Sequence, residues 1–195
     1  MDATQLAAFL PALAMAIALA AVAGLRAWLP LLAAGGLSRL GVLQLGPSFH
    51  FLASDQALAV FGLATVIELV GDKVPAVDHA LDLIGTPLRP AVGALLAASV
   101  LGTVSDPLTA MVLGTAVGAP SALVPHAAKS ALRAASTATT GGLANPLLSL
   151  LEDAISILTF VAAVLVPVLV VCALGLTLVL ASRWLRRRHA AVPTA

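Results

Sequence analysis

Apolar residues run without a charge over residues 6–25 and 154–181, and in shorter, interrupted stretches over 27–37, 57–70, 91–104 and 108–124. At about 1.5 Å of rise per helical residue, each long run is enough to cross a hydrocarbon layer about 30 Å thick. The shorter ones are marginal, and 27–37 is further broken by Pro30 and the Gly35-Gly36 pair. Ser54-Asp55, Asp106-Pro107 and Asn145-Pro146 each join a side-chain cap to residues suited to a first turn. The pattern predicts an all-α, polytopic transmembrane helix bundle of about five spans, 6–25, 57–70, 91–104, 108–124 and 154–181, with interfacial or re-entrant segments between them.

Composition agrees: 61% of residues are hydrophobic, 10% are charged, and the mean hydropathy is +1.08. A chain of 195 residues with those values reads as a single integral membrane domain, 1–195, whose primary partner is the lipid bilayer. The stretch "AMAIALAAVAG" offers small residues at the spacing of a signal-peptide cleavage site, but Asp2 and the lack of Lys or Arg before it favour a retained helix. A formal charge of +1 implies no nucleic-acid partner. Cys172, the one cysteine, lies inside the last apolar run and carries no disulfide or thiolate argument. Gly- and Ala-rich helices favour close helix contact and a homodimer.

The basic tail 183–195, with "RWLRRRH" at its start, places the C-terminus on the cytoplasmic side of a multi-pass protein. Counting back through five spans puts Arg26 and Arg39 inside and the acidic stretch 68–82 outside. Trp28 and Trp184 then both fall at the inner interface, where indole rings favour the headgroup level. An echo adds a second layer: Leu25-Arg26-Ala27 with Gly35-Gly36-Leu37 is matched by Leu132-Arg133-Ala134 with Gly141-Gly142-Leu143. On opposite faces, such segments would mark an inverted repeat with halves 1–88 and 89–182, although six matching residues come cheaply in so biased a chain.

Against this background the sequence "ELVGDKVPAVDHALD" stands out, holding four of the nine acidic residues. Glu68 and Asp72 share one helical face, as do Asp78 and Asp82, and like charges at that spacing need a partner, a shared proton, a cation or water. A counterpart exists in "VPHAAKSALR", where Lys129 and Arg133 stand four residues apart. The expected arrangement pairs the acidic segment with the basic one, His79 and His126 flanking the charges; the bland alternative is a solvated loop. A metal site built from Glu68, Asp72, Asp78, His79 and Asp82 would suit a hard cation, but the spacing matches no known loop, so no metal or cofactor is assigned. Glu68, near the end of an apolar span, is either an intramembrane functional carboxylate or an interfacial one reaching water. The run "STATTGG", 136–142, reads as a polar path lining or, more simply, a connector.

No nucleophile elbow, zinc-ligand spacing or phosphate loop is present, so the chain reads as a non-enzyme. The set "LRAWLPLL", "IELVGDKVPAVDHALDLIGTPLRPAVGALL", "HAAKSALRA" and "NPLLSLLEDA" resembles a family of bacterial integral membrane proteins described as domain of unknown function 4126. The resemblance implies a multi-helix inner-membrane protein with polar segments between spans, and brings no activity or site residues. Two functions stay open: a transporter or channel for a small ion or solute, with Glu68, Asp72, Asp78 and Asp82 facing Lys129 and Arg133, or a non-transporting scaffold.

Overall fold

A computed structural model describes residues 2–167, 169, 175–177, 179–180 and 182–183, and among these every regular element is a helix. Helix α1, Ala3–Leu25, starts on a reciprocal cap in which Asp2 accepts from the Gln5 amide at 2.7 Å while the Gln5 side chain accepts from the Asp2 amide at 3.0 Å. It stops where Arg26 turns extended, and the short α2, Trp28–Arg39, begins immediately. A tight 3₁₀ turn, Pro47–Ala53, meets α3, Asp55–Gly71, at a bend of 58°. Helix α4, Pro75–Leu101, opens on a first-turn proline. Helix α5, Pro107–Leu113, passes through a single wide turn, Gly114–Gly118, into α6, Ala119–Thr140. Gly141 and Gly142, both at positive φ, reverse the chain into α7, Asn145–Leu165.

Among the described residues four helices are long and apolar enough to span a bilayer, namely Ala3–Leu25, Leu83–Leu101, Pro107–Thr140 and Asn145–Leu165, and the bent pair ending in α3 is either a fifth, broken span or a re-entrant loop. The all-α polytopic bundle read from the sequence is therefore the observed one. Its boundaries differ in an instructive way. The polar segments expected as separate interfacial or re-entrant helices are continuations: α4 begins at Pro75, well before residue 91, and the span opening at Pro107 runs to Thr140, well past residue 124. Polar side chains do not end a helix when partners elsewhere in the bundle satisfy them, and hydropathy alone does not register those partners. The run 136–140 is the last turn of α6, and the connector to α7 is 141–144, opening on Gly141 and Gly142. The last apolar run starts earlier than expected, at Asn145, and α7 ends at Val166, before Pro167.

The interior is built from small residues. Ala16, Ala18, Ala20, Ala21, Ala23 and Gly24 of α1 are buried against α4, α6 and α7. A Cβ at Gly24 would stand 2.1 Å from the Ala122 carbonyl oxygen, so only glycine lets α1 and α6 approach this closely. Leu19, Leu31, Leu52, Leu96 and Leu101 fill the core beside these small residues, while other large apolar side chains point outward: Leu63, Leu83, Leu132, Leu147 and Leu158 are all more than half exposed. Apolar outside and polar inside is the arrangement a lipid solvent favours.

Candidate functional site

Arg26 occupies the extended break between α1 and α2, and its guanidinium is fully buried. There it ion-pairs with Asp72 and Asp153 and donates to the Ser149 side-chain and backbone oxygens at 3.1 and 3.2 Å. Asp72 caps the C-terminal end of α3, which aims its carboxylate into the bundle. The same Asp72 oxygen, Oδ2, lies 3.4 Å from Lys129 Nζ and 3.2 Å from Arg133 Nη2. Lys129 and Arg133 share one face of α6, and both also reach Glu152 on α7. Arg133 binds it through two bonds, of 3.1 and 2.7 Å, while Lys129 stands at 3.2 Å. Three helices and one helix break thus converge on a charge cluster about 10 Å short of the Thr140 end of α6, counted along the helix from Arg133.

Exposure grades outward. Side chains of Arg26, Lys129 and Asp72 are at most 1% exposed, Glu152 is at 12%, Asp153 at 18%, and Lys73, 3.3 Å from Asp153, at 38%. The Lys73–Asp153 pair is the cluster's contact with its surroundings.

A second polar group lies beside the first. Glu68 accepts from the amides of Ala27 and Trp28 at 3.0 and 3.3 Å, placing a negative charge at the start of α2, where the helix dipole favours one. Arg89 of α4 lies 3.6 Å from Glu68 and donates to His126 Nδ1 at 2.6 Å, while Thr86 lies 3.3 Å from His126 Nε2. Among the described residues no group of three or more His, Cys, Asp or Glu side chains gathers as a metal site.

Of the residues singled out from the sequence, Glu68, Asp72, His126, Lys129 and Arg133 come together here. Asp78, His79 and Asp82 lie on the first turns of α4, and their side chains fall outside the described residues. The described acids that meet Lys129 and Arg133 are Asp72 and Glu152. The placement of Arg26 on the opposite face from the acidic stretch is corrected, because the two touch: the α1–α2 break and the α3–α4 turn sit at one level. Trp28 stacks on Phe61 at 6.3 Å, beside Glu68. Trp184 and residues 184–195 of the tail lie outside the described residues.

Sequence reasoning missed Arg26, Arg89, Glu152 and Asp153 as cluster members. A signal did exist for Arg26, since the repeated Leu-Arg-Ala pairs it with Arg133 and both arginines bind Asp72. The two Gly-Gly pairs do different jobs, Gly35-Gly36 inside α2 and Gly141-Gly142 in a left-handed turn.

A family model, described as "Domain of unknown function (DUF4126)", matches residues 13–187. No curated protein and no solved structure matches the chain.

Proposed function

Because the chain belongs to the DUF4126 family, whose description names no activity, we propose from its geometry that it moves a small ion or charged solute across the membrane, with the Arg26–Asp72–Lys129–Arg133–Glu152–Asp153 cluster as the site through which that charge passes. One observation carries the reading: three cationic side chains, Arg26 from the α1–α2 break and Lys129 and Arg133 from α6, converge on a single buried carboxylate oxygen. Such a cluster is a poor device for stability alone, since apolar replacements of buried ion pairs are often neutral or stabilising. Charges kept inside a membrane bundle instead mark pathways for ions, protons or charged solutes. In this reading the Lys73–Asp153 pair, the outermost of the cluster, is the entrance, and the interrupted helices on either side of Arg26 are what moves.

In this reading the protein is non-enzymatic and sits in a bacterial inner membrane with its C-terminus inside. A scaffold is the second reading, favoured by Glu68, whose hold on the α2 amides is a structural task. Purified protein in liposomes separates the two: transport predicts uptake of at least one charged solute above empty vesicles, and a scaffold predicts none.

A further inference from the structure

We propose that His126 is a proton-binding site, and that its protonation shifts Arg89 from the imidazole to Glu68 and loosens the hold of Glu68 on the start of α2. The geometry fixes the resting state of the ring. Arg89 stays charged at any relevant pH and can only donate, so the 2.6 Å contact to Nδ1 requires a lone pair there. The ring is therefore neutral, with its hydrogen on Nε2, facing the Thr86 hydroxyl at 3.3 Å. A proton arriving from water has one place to bind, the Nδ1 lone pair that Arg89 occupies. Two cations cannot share that contact, so the guanidinium must move.

Its destination is already in place. Arg89 Nη2 lies 3.6 Å from Glu68 Oε1, and closing that gap by less than about 1 Å makes a full charge-assisted hydrogen bond. The same Oε1 accepts from the Ala27 amide at 3.0 Å, and its partner oxygen accepts from Trp28 at 3.3 Å. A tighter Arg89–Glu68 pair competes with both amides at the α1–α2 break, next to Arg26. The proton's effect thus ends at the start of the helix whose entry residue anchors the larger cluster.

The charged and titratable groups around the ring come from three helices. Arg89 and, at the position one turn before Thr86, Asp82 stand on α4; Glu68 is on α3; Lys129 is on α6 itself, one turn beyond His126. Lys129 is committed to Asp72 and Glu152, and Glu68 already holds two amides; among the described contacts, the Arg89–His126 hydrogen bond is the one that a proton on Nδ1 displaces directly. As a coupling step this inference rests on the transport reading above; as a proton site it stands without it.

The experiment uses the full-length protein in nanodiscs with Trp184→Phe, so that Trp28 alone fluoresces. Titration from about pH 5 to 8.5, which brackets ordinary imidazole behaviour, should change Trp28 emission with the steepness of one proton. His126→Asn, whose amide oxygen can accept from Arg89 near the Nδ1 position, should abolish the transition, while His50→Asn and His79→Asn retain it. A flat parent titration, or a transition that survives in His126→Asn, overturns the proposal. If His126→Asn does not fold, ¹⁵N spectra of the parent decide: the proposal requires a neutral, Nε2-protonated ring at the alkaline end and a doubly protonated ring at the acid end, and a ring unchanged across the range overturns it. No flux enters either readout, so an absence of transport leaves the proton site standing, and a flat titration leaves transport standing.

Discussion

Replacing Asp72 with Asn keeps the shape of the side chain and one acceptor oxygen but removes the charge on which Arg26, Lys129 and Arg133 converge. An exposed ion pair lost in this way costs about 0–1 kcal/mol. Asp72 is buried, and so are all three cations, which moves the perturbation into the range for breaking one side of a buried pair, about 3–5 kcal/mol. The lower end applies, because Arg26 keeps Asp153 while Lys129 and Arg133 keep Glu152. For a chain of this length about 3 kcal/mol corresponds to a fall of roughly 6–12 °C in melting temperature. Thermal unfolding in one detergent, followed by helical circular dichroism, measures it. The pairing itself is tested by adding Lys129→Met: the double variant should lose about 1–3 kcal/mol less than the sum of the singles, since the second change removes a charge that the first left unpaired. A fall equivalent to less than about 1 kcal/mol, or strictly additive losses, would refute the claim that the cluster is a buried, coupled network.

Glu68→Gln should destabilise by about 1–3 kcal/mol, because its amide nitrogen cannot accept from the Ala27 or Trp28 amide; melting temperature reads this directly. Gly24→Ala should prevent normal assembly, its Cβ meeting the Ala122 carbonyl, whereas Gly36→Ala, with open space around it, should purify like the parent on size exclusion. In a Cys172→Ala background, Gln44→Cys and Thr103→Cys should react with an impermeant thiol reagent from the same side and Thr140→Cys from the other, since the Gly46 amide donates to Ser99 at one end of the bundle and α6 terminates at the other. Hydrogen bonds from Thr109, with a further one from the Leu108 amide, hold the Asp106 carboxyl below the ordinary aspartate range. A lowered value stabilises the fold above the ordinary range and loses that contribution as pH falls through it. The stability gap between the parent and Asp106→Ala should therefore narrow in acid.

How far the sequence carried the structure depends on the element. Helix α1 was legible because twenty uncharged residues have no other stable home than a membrane span, and Asp106-Pro107 marked the start of α5 because a cap and a first-turn proline are local signals. The extents of α4 and α6 were not legible, since their polar turns are stabilised by residues far away in the chain: Lys129 of α6 meets Asp72 across 57 positions. The same distance hid the full cluster. Lys129 and Arg133 announced themselves through i, i+4 spacing, which local geometry dictates. Glu152 and Asp153 are adjacent, carry no periodic signature, and become site residues only because α7 packs beside α6 and α1. Arg26 was read through the rule for basic loops, which assumes that a lone arginine between apolar runs faces water. Here a buried carboxylate takes the place of water.

The passage of charge through the buried cluster is tested most directly by flux after changes at its outer edge, where Lys73 is the most exposed member. Lys73→Gln and Asp153→Asn alter the outermost pair, and the comparison is uptake of small charged solutes into proteoliposomes by the parent and by each variant at matched melting temperature. Uptake by the parent should exceed that of empty vesicles, with a clear loss in both variants. Uptake indistinguishable from empty vesicles across cations, anions and zwitterions, or variants that transport as the parent does, would contradict it.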